Sequence, residues 1–151
     1  MNKPKQALRI RPARSKDQNI IQSLLLGFKL PLDGLNNTKL WVLQSSQNDV
    51  LGVAGLEIYG IQGLLRSVAV NKNFQRKGYG ALLVNHVIAE AKKSKVAVLF
   101  LLTTTAVVFF KKLGFKEEYR EKVVGRIAES VEFKSACPKT AVLMRLNLPP
   151  L

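Results

Sequence analysis

The chain has 151 residues, with 24 lysines and arginines against 10 aspartates and glutamates, which gives a formal net charge of +14 at pH 7. Hydrophobic residues make up 47% of it, which indicates a single globular domain over residues 1–151 and argues against an intrinsically disordered protein. No apolar run is long enough to span a bilayer, no apolar segment follows the basic N-terminus as in a signal peptide, and the single cysteine, Cys137, excludes an intrachain disulfide.

The first third of the chain predicts a strand, a helix and an antiparallel meander. Ala7–Arg11 alternates as a strand does, and Ser15–Gln18 is typical of a capping box at the start of a helix. Gly27–Thr38 contains proline, glycine and asparagine, so we expect an irregular segment that forms a flap on the substrate side. Leu40–Leu43 and Val50–Ile58 are then predicted to be strands joined by a polar turn.

The centre of the chain places a basic glycine loop between a strand and a helix. Leu64–Val70 is a predicted strand, QRKGYG occupies residues 75–80, and apolar residues recur at the helical period from about Tyr79 to Ser94. The first turn of a helix has unpaired N–H groups, and glycines let the backbone come close to a ligand. The loop therefore predicts a site for an anion such as a pyrophosphate. His86 lies off the apolar stripe and is predicted to be exposed rather than catalytic.

The second half continues the alternation of helices and strands. Val96–Leu102 is a continuous apolar run, and because a helix leads into it, we expect a buried strand parallel to Leu64–Val70. Ala106–Leu113 is predicted to be a short helix. The remaining predictions are a strand at Phe115–Val124, a short helix at Ala128–Phe133 and a last strand at Thr140–Leu146. The fold class is therefore α/β (α+β) with a mixed, mostly antiparallel sheet.

The basic residues concentrate around the glycine loop. Ten lysines and arginines lie between Ile58 and Lys116, against the single acid Glu90. This excess suits a multiply phosphorylated small ligand, although a generally basic surface would produce it too. The sequence has no zinc pattern, stacking motif or recognition helix, so nucleic acid is not the expected partner. We expect a cytoplasmic protein with no metal and no membrane association, and the sequence is compatible with a homodimer.

The chain contains QRKGYG at residues 75–80, after a strand that ends in Val68-Ala69-Val70, and AVVFFKKLGF at residues 106–115. Together these two motifs resemble the GNAT superfamily of acetyl-CoA-dependent N-acetyltransferases. The resemblance covers residues 7–146. It implies a GNAT-like acyl-CoA acyltransferase fold in which the two parallel strands splay apart. It also implies direct acetyl transfer from acetyl-CoA to a primary amine, with no covalent enzyme intermediate.

The resemblance further implies which residues bind the cofactor. The backbone of Val68 would meet the acetyl carbonyl and that of Val70 the pantetheine arm, while N–H groups of the loop would hold the pyrophosphate. Phe110 stands where many members of the family have a tyrosine that protonates the leaving thiolate, so that role is empty or filled by water. The implied cofactor-binding residues are Val68, Val70, Gln75, Arg76, Lys77, Gly78, Tyr79, Gly80, Ala81 and Phe110.

One acidic residue is a candidate catalytic base. Glu57 is the only acid between Asp49 and Glu90, and it lies near the end of an otherwise apolar strand. An attacking amine must lose a proton, and a carboxylate at this position could accept it. The alternative is that Glu57 is an ordinary strand residue that faces solvent.

Three further stretches, at Gly63–Val70, Leu101–Ala106 and Glu132–Pro138, narrow the resemblance. They resemble a branch that contains arsenic-resistance N-acetyltransferases and short forms of N-acetylglutamate synthase. The resemblance implies a small amino acid or analogue as acceptor, with Arg66 and Ser67 on the substrate side and the Arg66 guanidinium facing a carboxylate. The alternative is that Arg66 braces the sheet or pairs with Glu57. Two other functions stay open: acetylation of a protein or peptide amine, and a non-catalytic acyl-CoA-binding domain.

Overall fold

The computed structural model describes residues 7–130, 132–136 and 139–150. The strands are β1 (Leu8–Pro12), β2 (Lys39–Ser45), β3 (Val50–Tyr59), β4 (Gln62–Val70), β5 (Val98–Thr103), β6 (Lys116–Glu117) and β7 (Val142–Asn147). The helices are α1 (Gln18–Gly27), α2 (Tyr79–Lys93) and α3 (Val107–Lys112). Among the described residues, no helix is both long enough and apolar enough to cross a membrane.

The strands form one mixed sheet in the order β1-β2-β3-β4-β5-β7-β6. β4 and β5 are parallel, and the other neighbouring pairs are antiparallel. This arrangement confirms the predicted fold class, including the strand reached through α2. The described ladder between β4 and β5 joins only Gln62–Leu64 to Val98–Phe100, whereas β5 pairs with β7 as far as Thr103. The two parallel strands therefore part in the middle of the sheet.

Each face of the sheet has its own hydrophobic packing. The face under α2 carries the largest cluster, which includes Leu65 of β4 and the fully buried Leu83 and Val87 of α2. The other face carries two smaller clusters, one beneath α1 and one around Leu64 and Ile127. Burial of apolar side chains on both faces explains why β4 and β5 are near-continuous hydrophobic runs.

A buried ion pair ties β1 to the start of α1. Arg11 donates to both carboxylate oxygens of Asp17, at 2.7 and 3.0 Å, and its Nε donates to Gln44 Oε1 at 2.8 Å. The backbone N–H of Arg14 also donates to Asp17, at 2.7 Å. The predicted capping box at Ser15–Gln18 is therefore wrong in detail, because Asp17 is the side chain that organises this turn. These donors hold the pKa of Asp17 down at about 2.

Two predictions about the last third of the chain need correction. The predicted strand Phe115–Val124 contains only the short β6, because its ladder with β7 ends where Glu118 N–H donates to Leu143 C=O. In place of a helix at Ala128–Phe133, the chain forms a 3₁₀ turn at Arg126–Glu129 and a π-helical turn at Glu132–Ala136. Cys137, the single cysteine, lies outside the described residues.

The single histidine is less exposed than predicted. His86 is half-buried on α2, with its ring edge-on to that of Trp41 at a centroid distance of 5.7 Å. Its Nε2 lies 3.8 Å from Glu90 Oε1. Contact with an aromatic residue of β2 therefore covers a position that the helical period alone placed on the surface.

Candidate functional site

Beyond Leu64, β4 no longer pairs with β5, so one edge of β4 is open. The ladder with β3 joins Val53 to Ala69 and Gly55 to Arg66, so Ser67 and Val68 together oppose one residue of β3. This is a β-bulge, and Ser67 has the left-handed backbone that goes with it, with φ of 59°. Strand backbone that is not paired on one side can form hydrogen bonds with an extended ligand. The open edge spans the two positions, Val68 and Val70, that were predicted to face the cofactor.

The glycine loop follows the open edge directly. Gln75 Nε2 donates to the C=O of Val70 at 3.1 Å, which fixes the start of the loop to the end of β4. Arg76 and Gly78 have positive φ angles of 65° and 80°, and both side-chain positions are exposed. Gly78 is the N-cap of α2, a helix of 15 residues. The first turn of α2 therefore begins within the loop, so its N–H groups lie where the sequence predicts an anion.

Helix α3 provides a wall beside the loop. A Cβ added to Gly80 would lie 3.3 Å from Cζ of Phe109, so only glycine fits there without displacing that ring. Phe110 itself is 6% exposed and packs edge-on against Phe109 and Phe115, at centroid distances of 4.9 and 5.7 Å. Of the two neighbouring phenylalanines, Phe109 is therefore the one in contact range of the loop, and the sequence did not single it out.

On the face opposite α2, the candidate base is part of a buried polar cluster. Glu57 is 6% exposed, and its Oε2 accepts a hydrogen bond from Arg66 Nη1 at 2.7 Å. The side chain of Arg66 has no exposed surface, and its Nε lies 3.2 Å from Glu132 Oε1. Arg66 also donates to Ser67 Oγ and to the C=O of Pro31, at 3.1 and 3.3 Å. The arginine is therefore held on several sides by the protein itself.

Two hydroxyl groups complete the hydrogen bonds to Glu57. Thr38 Oγ1 donates to Oε2 at 3.0 Å, and the Tyr59 hydroxyl donates to Oε1. Burial, reinforced by the neighbouring Glu57 carboxylate, raises the pKa of Tyr59 to about 12. At neutral pH the phenol is therefore protonated and acts as a donor. With Arg66, these groups fix the orientation of the carboxylate.

A cavity of about 350 Å³ opens above this cluster. Its wall on one side is the segment before β2, through Gly34 and Asn37, and its wall on the other side is the 3₁₀ turn at Arg126–Glu129. Glu57 and Tyr59 line it from the sheet. The predicted flap, Gly27–Thr38, therefore does lie beside the candidate base.

The sequence found some of these residues and missed others. Glu57, Arg66 and Ser67 are brought together on one face, and the predicted loop residues lie at the far end of β4. Tyr59 could have been predicted from the position of Glu57, because side chains two residues apart along a strand point to the same face of the sheet. Thr38 and Arg126 reach the site through tertiary contacts that leave no local pattern. Within residues 7–130, 132–136 and 139–150, no group of three or more His, Cys, Asp and Glu side chains could hold a metal ion.

Comparison with known proteins identifies related sequences. Residues 36–117, more than half of the chain, match the acetyltransferase (GNAT) domain family. An uncharacterised N-acetyltransferase of Chlorobaculum tepidum is 31% identical over 104 residues, which is 66% of this chain and 66% of that protein.

Solved structures share the fold at lower sequence identity. N-acetylglutamate synthase of Neisseria gonorrhoeae, in complex with coenzyme A and N-acetyl-glutamate, superposes with a TM-score of 0.81 at 21% identity and covers 95% of this chain. This chain spans only 35% of that protein's length. The ribosomal-protein-S18-alanine N-acetyltransferase of Escherichia coli superposes with a TM-score of 0.73 at 20% identity, over 96% of each chain.

Proposed function

This chain belongs to the GNAT family of acetyltransferases, and from that premise we propose that it transfers the acetyl group of acetyl-CoA to the primary amine of a small amino acid or amino-acid analogue. The observation that carries the proposal is the continuity of two half-sites along β4. The edge of β4 beyond Leu64 is open and leads to the glycine loop, and the cavity lined by Glu57 lies above the Glu57–Arg66 pair at the same strand.

The cofactor would lie along the open edge of β4. The backbone of Val68 and Val70 would pair with the pantetheine arm, and the N–H groups from Arg76 to Ala81 would hold the pyrophosphate. Gln75, which is bound to the C=O of Val70, keeps the loop at the end of the strand. Lys77 and Arg76 are exposed cations that add attraction for the phosphates. Phe110 supports this wall from the core through its contact with Phe109.

Acetyl transfer then needs one proton acceptor and one donor to the developing oxyanion. The amine nitrogen forms a bond to the acetyl carbon, the carbon–sulfur bond breaks, and coenzyme A leaves as a thiolate that takes a proton from water. Glu57 accepts the proton lost by the amine, directly or through a water molecule. The N–H of Val68 would donate to the carbonyl oxygen as negative charge develops on it.

Arg66 and Ser67 support the base rather than contact the acceptor. One of the two roles that the sequence left open for Arg66 was binding of the acceptor's carboxylate, but its guanidinium is fully buried and bonded to Glu57, Ser67 and Pro31. Removing Arg66 would leave the buried Glu57 carboxylate without its charged partner, which is strongly destabilising. We therefore assign Arg66 to the alternative role, the positioning of the Glu57 carboxylate, with Ser67 Oγ orienting Arg66.

Cavity size supports a small acceptor. A volume of about 350 Å³ is near the lower end of the range for small-molecule pockets, which is about 300 to 1,000 Å³. The resemblance to arsenic-resistance N-acetyltransferases and short N-acetylglutamate synthases points the same way. A protein amine is the second candidate, because the fold of the Escherichia coli enzyme named for a ribosomal-protein alanine is matched over nearly its whole length.

Two measurements on the purified chain test the proposal. Acetyl-CoA should raise the melting temperature, because a ligand that binds only the native state stabilises it. Coenzyme A release should then depend on an added amine from a panel of amino acids, simple amines and peptides. Release with peptides alone would select the protein-amine candidate, and stabilisation without release would select a non-catalytic acyl-CoA-binding domain.

The base is tested by Glu57→Gln. We expect kcat to fall about 100- to 10,000-fold, the usual contribution of a positioned general base. The loss should be greatest at low pH, where fewer acceptor amines are neutral without help. Glu121→Gln, which removes an exposed carboxylate elsewhere, is the matched control. An unchanged pH–rate profile in Glu57→Gln would remove this residue from the mechanism.

A further inference from the structure

We propose that Arg126 binds the carboxylate of the acceptor and so selects amino acids over simple amines. This inference rests on the proposed function and assigns to a different residue a role that the sequence left open for Arg66. Arg126 begins the 3₁₀ turn Arg126–Glu129 and lines the same cavity as Glu57 and Tyr59. The cavity therefore presents a buried carboxylate on the sheet and an exposed guanidinium at its rim.

Arg126 differs from the other charged groups of the cavity in its pairing. Glu57 is bonded to Arg66, and Glu129 forms an ion pair with Lys134. In the part of the chain that the structure describes, no hydrogen bond or ion pair engages the Arg126 side chain, which is exposed and belongs to the lining of the cavity. A guanidinium is a planar fork of donors whose geometry matches a carboxylate, and the two form bidentate pairs.

The backbone that carries Arg126 is fixed, although its side chain is exposed. Gln62 Nε2 donates to the C=O of Val124 at 2.9 Å, which attaches the preceding residues to the start of β4. Gly125 has a φ of 101°, and an added Cβ would lie 3.0 Å from Gln62 Oε1. Ile127, on the other side, has no exposed surface and packs with Leu64. The backbone on both sides of Arg126 is therefore attached to the start of β4.

The arrangement is complementary to an amino acid. The amine to be acetylated must approach Glu57 to lose its proton, and in an α-amino acid the carboxylate lies two bonds from that nitrogen. A carboxylate left unpaired in the cavity would lose hydration without compensation, whereas the Arg126 fork supplies two charge-assisted donors. A simple amine gains nothing from this group.

The test compares acceptors that differ only in the carboxylate. L-glutamate is paired with isoglutamine, its α-carboxamide, and L-leucine with leucinamide, and each acceptor is compared between variants so that differences in amine basicity cancel. In Arg126→Gln we expect KM for the amino acids to rise about 10- to 100-fold, the range for a lost hydrogen bond to a charged group. For the carboxamides we expect KM to stay within about twofold, and kcat at saturation should be little changed for all four.

Two further variants make the result specific. Arg126→Lys keeps the charge without the fork and should recover only part of the affinity for the amino acids. Arg9→Gln removes an exposed arginine of β1 and should leave every KM as in the wild type. An equal KM increase for amino acids and carboxamides, or no increase at all in an active Arg126→Gln enzyme, would overturn the assignment of Arg126. A wild-type enzyme that releases no coenzyme A with any amine would instead overturn the proposed function.

Discussion

Because of the ion pair between Arg11 and Asp17, the free energy of unfolding of the domain should decrease at low pH by an amount that follows from the pKa of Asp17. Asp17 has a pKa of about 2 in the folded chain, against 3.8 for an ordinary aspartate. A lowered pKa stabilises the folded chain at pH values above the pKa of the unfolded chain. This stabilisation is lost as the pH falls toward the pKa of the folded chain. At about 1.36 kcal/mol per pH unit, the difference corresponds to about 2 kcal/mol. The loss should fall between about pH 5 and pH 2.

The measurement is the free energy of unfolding by urea, compared between the wild type and Asp17→Asn across this pH range. Asparagine has nearly the same shape but cannot ionise, so the difference between the two proteins isolates the Asp17 charge from the other acidic groups. We expect wild type to be more stable by about 2 kcal/mol at pH 6 and the two curves to converge toward pH 2. A difference that does not change with pH would refute the reasoning, because it would mean that the carboxylate charge contributes nothing.

Two further substitutions test the two half-sites. Gly78→Asp should abolish the rise in melting temperature caused by acetyl-CoA, whereas Gly60→Asp should preserve it. Both glycines have a positive φ and open space around them, but only Gly78 belongs to the loop. Wild-type affinity for acetyl-CoA in Gly78→Asp would contradict the pyrophosphate site. Tyr59→Phe removes a hydrogen-bond donor that orients the Glu57 carboxylate, so kcat should fall about tenfold while KM changes little. An unchanged kcat would show that this hydrogen bond does not act on the base.

The sheet and its helices could be predicted because their signals are local and repeated. Helix α2, Tyr79–Lys93, was predicted to within one residue, since its apolar period and the glycines at its start agree. The strand Phe115–Val124 failed for a physical reason. Interleaved charges indicate an extended chain, but how far a strand continues depends on where its partner begins, and here β7 begins at Val142.

The candidate site was predictable only in part, for a similar reason. Glu57 was conspicuous as a single acid in an apolar strand, and the glycine loop has a motif of its own. Whether Glu57 is free or paired depends on Arg66, nine residues away across a hairpin, and on Thr38, nineteen residues away. Such contacts are decided by tertiary packing, so the sequence could state both alternatives for Arg66 but could not choose between them.

The extra residue at Ser67 has a consequence for any engineering of β4. Leu64 and Ala69 both belong to clusters on the face that carries Arg66, although an odd number of positions separates them. The bulge thus reverses the alternation of side chains along β4. Arg66 therefore faces Glu57, while Val68 and Val70 pack with the cluster under α2. Deleting one residue there would restore simple alternation along the strand, and one end of it would then face the wrong side. The alternation of side chains along β4, more than the length of the strand, is what joins the two half-sites.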